Sequence, residues 1–182
     1  KWVLFIGIIG MGFLAPRIML TRSTMAAHAC YWAYAAMWGL LISPMIYIFL
    51  TQMPNGPADI ARAFFITAGM FAGMSIFGYT TKRDLSPMGR VLMMVTIGLL
   101  LAVVVNIFIG SMGFQLLLSF GVVIVFALLT AFETQQIKEM YYSASDGDEV
   151  TRMAIFGAFM LYGSFVTMFI WILQILAILR GE

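Results

Sequence analysis

Six apolar runs, each long enough to cross a bilayer and separated by short polar breaks, leave this chain few ways to fold. They cover about residues 2–20, 26–50, 60–80, 88–109, 114–138 and 153–179. Each holds roughly 18 to 26 residues, enough for a helix to span a hydrocarbon core of about 30 Å. In lipid the backbone must satisfy its own hydrogen bonds, so runs of this length read as helices. The chain has 182 residues, of which 63% are hydrophobic and 10% charged, and its mean hydropathy is +1.00. Soluble domains need more charge than this to cover their surface. The reading is therefore an all-α membrane protein forming a single domain over residues 1–182, with no room for a soluble enzyme domain.

The breaks carry their own signals. Thr51-Gln-Met-Pro-Asn-Gly-Pro57 is a loop by its proline and glycine content. Ser86 and Pro87 read as the N-cap and first residue of the fourth helix. Gly110-Ser-Met-Gly113 is a minimal turn, and Ser143-Ala-Ser-Asp-Gly-Asp-Glu149 an acidic loop. Pro44 is expected to kink the second helix.

Orientation follows the distribution of Lys and Arg. Arg17, Arg22, Lys82, Arg83, Arg90, Lys138 and Arg152 fall on one side, against Lys1, Arg62 and Arg180 on the other. The bias places the odd-numbered loops in the cytoplasm and the C-terminus outside. The formal charge of +2 comes without a basic tract, which argues against a nucleic-acid partner. Cys30 is the single cysteine and His28 the single histidine, so the usual cysteine- or histidine-rich metal sites are excluded, and no cofactor is expected. The absence of HExxH, GxSxG and paired-aspartate protease signatures argues against an enzyme.

Polar groups at membrane depth are the functional candidates. Glu133 lies near the inner end of the fifth run, in Leu129-Thr-Ala-Phe-Glu-Thr-Gln-Gln-Ile-Lys138. Position alone reads equally as a hydrated interfacial carboxylate. Arg17 lies at a matching depth in the first run, about 16 residues in against about 19 for Glu133. An ion pair is therefore one reading of Arg17, and a snorkelling anchor the simpler one. In the sixth run Gly157, Ser164, Thr167, Trp171 and Gln174 form a small and polar stripe suited to helix packing. Asn106 needs a partner within the bundle. Gly69 and Gly73 form a GxxxG match that suggests close packing rather than dimerisation. The 16 methionines read as apolar filler, and His28 and Cys30 do not share a helix face.

Three segments carry a resemblance. Phe77-Gly-Tyr-Thr-Thr-Lys-Arg-Asp-Leu-Ser-Pro-Met-Gly89 resembles the Bax inhibitor-1 family (the transmembrane Bax-inhibitor-motif proteins) in its bacterial branch. Thr130-Ala-Phe-Glu-Thr-Gln-Gln-Ile-Lys138 is similar to that family's Tyr-Asp-Thr-Gln-x-Ile segment. Ala158-Phe-Met-Leu-Tyr-Gly-Ser-Phe-Val-Thr-Met-Phe169 is similar to its last-helix motif. The resemblance implies seven helices with the last one central. The family's first helix would then precede Lys1, and the full N-terminus would be cytoplasmic.

It also implies a pH-sensitive calcium leak, survival under stress and, in bacteria, modulation of a membrane AAA protease. The family's leak is attributed to two hydrogen-bonded aspartates near an arginine. The first aspartate matches Glu133, the second matches Ser164, which cannot ionise, and the arginine matches Arg17. The acid pair is degraded here, although Ser164 could still donate a hydrogen bond to Glu133. The expected site is thus Glu133, Arg17 and Ser164, with Asn106, Thr167 and Gln174 as packing polar groups and no metal. Two functions stay open. One is a calcium or cation leak in the bacterial inner membrane. The other is an accessory or regulatory subunit of a larger membrane complex, such as a respiratory or photosynthetic assembly or an AAA protease, with the mitochondrial inner membrane as the alternative location.

Overall fold

The computed structural model describes residues 2–180 and is all helical over them. Lys1, counted among the basic residues of the far side, lies outside the described residues. Six helices follow one another: α1 (Trp2–Thr21), α2 (Thr24–Gln52), α3 (Gly56–Thr80), α4 (Ser86–Ile109), α5 (Met112–Ser143) and α6 (Gly147–Leu179). Among the described residues five of them, α2 to α6, are long and apolar enough to cross a membrane. The chain is an integral, multi-pass membrane protein.

Local chemistry sets the helix ends. Ser23 caps α2 by accepting from Ala26 N–H at 3.3 Å, and Ser111 caps α5 through Phe114 N–H at 3.3 Å. Each bond satisfies one of the donors that a helix leaves open at its start. Gly110 takes φ 67°, the left-handed conformation that ends α4 and that glycine adopts without strain. At α4 the cap lies one residue earlier than expected. Leu85 is the N-cap and contributes no side-chain bond, while Asp84 Oδ1 accepts from Ser86 N–H at 2.8 Å.

The acidic stretch is also mostly helical rather than a loop. α5 runs on to Ser143 and α6 starts at Gly147. Asp146 Oδ1 accepts from Glu149 N–H at 2.6 Å, and Glu149 Oε2 accepts from Ser145 N–H at 2.8 Å. This resembles a capping box, except that Glu149 reaches back to Ser145, one residue before the N-cap Asp146, and Asp148 and Glu149 sit in the first turn, where the helix dipole favours acids.

α6 is the innermost helix. It packs against α1, α2, α3 and α5. Its buried residues, from Ile155 through Ser164 to Ile175, cover an arc of roughly 260° at about 100° per residue. α1 lies against α2 and α6, α2 against α3, and α3 against α5. Among the described residues α4 packs on α5 alone. Two apolar clusters hold the bundle. One joins α1, α2 and α6 through Ala15, Met19, Tyr34, Phe156 and Phe159. The other joins α2, α3, α5 and α6 through Phe49, Ala63, Val123, Ile172 and Leu173. Beyond the second cluster Asp59, 1% exposed, accepts from Arg62 at 3.1 Å and pairs with Arg180 at 2.6 Å, tying the start of α3 to the end of α6.

Candidate functional site

The three resembling segments meet around one stretch of α5. Gly78 lies so close to the Ala131 backbone that a Cβ there has no room, and a Cβ on Gly89 would fall 2.6 Å from the Phe132 ring. Gln135 then pins the connection between α3 and α4. Its Nε2 donates to Arg83 O at 2.8 Å, and its Oε1 accepts from Leu85 N–H at 2.8 Å. Lys138 Nζ donates to Tyr79 O at 2.9 Å and sits 4.8 Å from the centre of the Tyr79 ring. Asp84, exposed in the same connection, has its carboxyl held below the usual range by hydrogen bonds from the Ser86 side chain and backbone. Sequence reasoning missed Gln135. The available signal was two adjacent amides, Gln135 and Gln136, at the end of an apolar helix, where a buried amide needs a partner.

The third segment supplies the partner of Glu133. Ser164 Oγ donates to Glu133 Oε2 at 2.8 Å, joining α5 to α6. Ser164 is buried and Glu133 half-buried. Both line a cavity of about 390 Å³, within the range of small-ligand sites. α5 and α6 form its floor through residues such as Val122, Phe126, Phe159 and Thr167. Its sides are α4 (Thr96, Leu99, Leu100, Val103) on one hand and Ile8, Tyr34 and Trp38 of α1 and α2 on the other. These two sides do not touch among the described residues, so the cavity parts them at the level of the bilayer. The lining is apolar apart from Glu133, three hydroxyls, Tyr34 and the two tryptophans. A single carboxyl thus marks one end of an apolar chamber, where it can bind a cation or exchange a proton.

Arg17 is not part of this arrangement. It is exposed and forms no ion pair among the described residues. Ala15 and Met19 of α1 are fully buried, which turns the residue between them to the opposite face. Among the described residues α1 also makes no contact with α5. The matching residue counts therefore do not bring Arg17 to Glu133, because Arg17 points away from the bundle. Thr21 Oγ1 donates to the Arg17 carbonyl.

The packing polar groups divide. Asn106 Nδ2 donates to Gln115 Oε1 at 2.6 Å, a partner on α5 that sequence reasoning did not name. Its own Oδ1 is buried without a partner among the described residues. Thr167 Oγ1 donates within its own helix to Gly163 O at 2.8 Å and lines the cavity. Gln174 is half-buried and makes no side-chain hydrogen bond among the described residues. The close packing expected at Gly69 and Gly73 is absent, since nothing lies within 4 Å of a Cβ at either. Both are exposed on the outer face of α3. His28 is exposed while Cys30 is buried.

A family model described as inhibitor of apoptosis-promoting Bax1 matches residues 1–181. The chain is 39% identical over 144 residues to the inner membrane protein YbhL of Escherichia coli K12, covering 78% of this chain and 59% of YbhL. It is 37% identical over 153 residues to an uncharacterized protein of Deinococcus radiodurans, covering 84% and 64% of the two chains. To the protein RP147 of Rickettsia prowazekii it is 36% identical over 150 residues, covering 82% and 61%. The chain thus spans about three fifths of the length of these relatives.

Proposed function

This chain belongs to the Bax inhibitor-1 family, and on that premise we propose that it is a pH-sensitive leak for calcium or other cations, with Glu133 as its one titrating site. The observation that carries the reading is the placement of Glu133. A carboxyl lies in the wall of a cavity inside the membrane, with Ser164 Oγ on one oxygen and the other oxygen without a protein donor among the described residues. Such a group attracts a cation when ionised and loses that attraction when protonated. Ser164 orients the carboxyl but contributes no second charge.

Two close carboxyls would titrate in two coupled steps, whereas a lone carboxyl titrates in one. Flux should therefore follow a single-site pH profile, weaker and shallower than in relatives carrying two acids. We place the protein in the bacterial inner membrane, the location named for YbhL. The reading assigns no enzymatic step.

The test is calcium flux into liposomes between about pH 5 and 8, the range over which perturbed carboxyls titrate. The expected result is a shallow one-step dependence that Glu133→Gln abolishes and Ser164→Asp converts to two steps. A steep two-step response in the unmodified protein would remove Ser164 from the explanation. No flux at any pH would favour a second reading, an accessory or regulatory subunit of a larger membrane complex or AAA protease. One observation supports that alternative. α5 and α6 have 32 and 33 residues, about 48 and 50 Å at about 1.5 Å per residue. They overhang a core of about 30 Å and could present their tips to a partner. Co-purification from native membranes would identify it.

A further inference from the structure

We infer that the cavity is closed at its basic end by an apolar plug centred on Ile137, and that this plug, not the Glu133–Ser164 bond, blocks passage through the protein. The inference rests on reading the cavity as an ion route and adds where that route is shut. The chamber reaches Glu133 and Ser164 and does not reach Ile137. Ile137 lies four residues beyond Glu133, on the same face of α5 and about 6 Å nearer the basic end. Its side chain occupies the space that Gly157 of α6 leaves by lacking a Cβ. A Cβ there would stand 3.0 to 3.1 Å from three Ile137 carbons. Seven residues separate Gly157 from Ser164, so both lie on the α6 face turned to α5.

Phe156, 7% exposed, precedes Gly157 on α6 and belongs to an apolar cluster that includes the fully buried Met19 of α1, with Met140 of α5 packed against it. The Glu133 carboxyl is polar and half-buried, so a hydrated ion can be held there. A layer of methyl and ring carbons offers no replacement for the ion's water. Apolar constrictions of this kind close channels by excluding water. A route through the protein therefore requires Ile137 to leave Gly157.

The test reads access separately from flux. In a Cys30→Ser background, Thr96→Cys places a thiol in the cavity wall. A charged, membrane-impermeant thiol reagent is applied to inside-out vesicles, which expose the basic end. Ile137→Asn is expected to raise the labelling rate by about tenfold, the factor for a barrier lowered by about 1.4 kcal/mol. Ile137→Leu should label like the parent. If the Asn variant is not recovered folded, Ile137→Ala gives the same comparison. Equal labelling of the parent and the polar or truncated variant overturns the plug. Faster labelling with no calcium flux at any pH leaves the plug standing and removes the leak reading. Faster labelling with increased flux supports both.

Discussion

α4 and α6 are both membrane helices, yet they use apolar residues in opposite ways. α4 is the most apolar of α2 to α6, and it buries only Gly89, Leu92 and Asn106, an arc of roughly 100° at about 100° per residue. α6 is less apolar than α4 and is enclosed over most of its circumference. In water the more apolar helix would be the buried one. In a bilayer, lipid solvates side chains such as Leu101 and Phe108 without penalty, so burial is decided by packing and hydrogen bonding instead. Hydropathy therefore reports which helices cross, and small and polar residues report which helix is central.

The comparison breaks most readily at the core. Met168 of α6 is fully buried and Leu101 of α4 is 60% exposed. Met168→Ala should cost about 2–5 kcal/mol, while Leu101→Ala should stay within about 0.5 kcal/mol. Thermal unfolding in detergent would measure both. Similar losses at the two positions would mean that α4 is not a lipid-facing helix. The next effect is smaller and tests how α4 is attached. Asn106→Leu removes the bond to Gln115 and should cost about 0.6 kcal/mol, the average for hydrogen bonds between membrane helices. Unfolding of Gln115→Leu and of the double variant would show whether the two losses share one interaction.

The smallest effect concerns the start of α4. Asp84 is exposed, and its carboxyl is held below its ordinary value of 3.8. Its contribution to capping is fully present above that value and is lost as pH falls through the lower folded-state value. A titration followed at the Ser86 amide by NMR should show a single transition below 3.8. The transition should vanish in Asp84→Asn.

The sequence displayed depth clearly and direction poorly. Six helices were legible because an apolar run of a given length has one solution in lipid. Glu133 and Ser164 were legible as neighbours because their motifs kept register. Arg17 failed because residue count measures distance along a helix axis, while pairing also needs the right azimuth and an adjacent helix. The buried alternation of Ala15 and Met19 fixes that azimuth, and it becomes visible only once α1 is docked on α2 and α6. Gln135 and Gln115 were missed for a related reason. An amide in an apolar run announces that it needs a partner, but the partners lie 50 and 52 positions away in one case and on the neighbouring side of a turn in the other. The acidic stretch at 143–149 was read by composition as loop, although acids at a helix start stabilise the helix.

The bond between Ser164 and Glu133 also has a place in time. The two residues are 31 positions apart, and chains grow at about 5–20 residues per second. Roughly 2 to 6 s therefore pass between synthesis of the carboxyl and synthesis of the hydroxyl that will meet it. α5 must wait with Glu133 unmatched until α6 is made. That helix then enters among four neighbours already synthesised. α6 thus completes the packing of α1, α2, α3 and α5, and a ribosome stalled before Ser164 would leave Glu133 without its partner in an assembly still open at its centre.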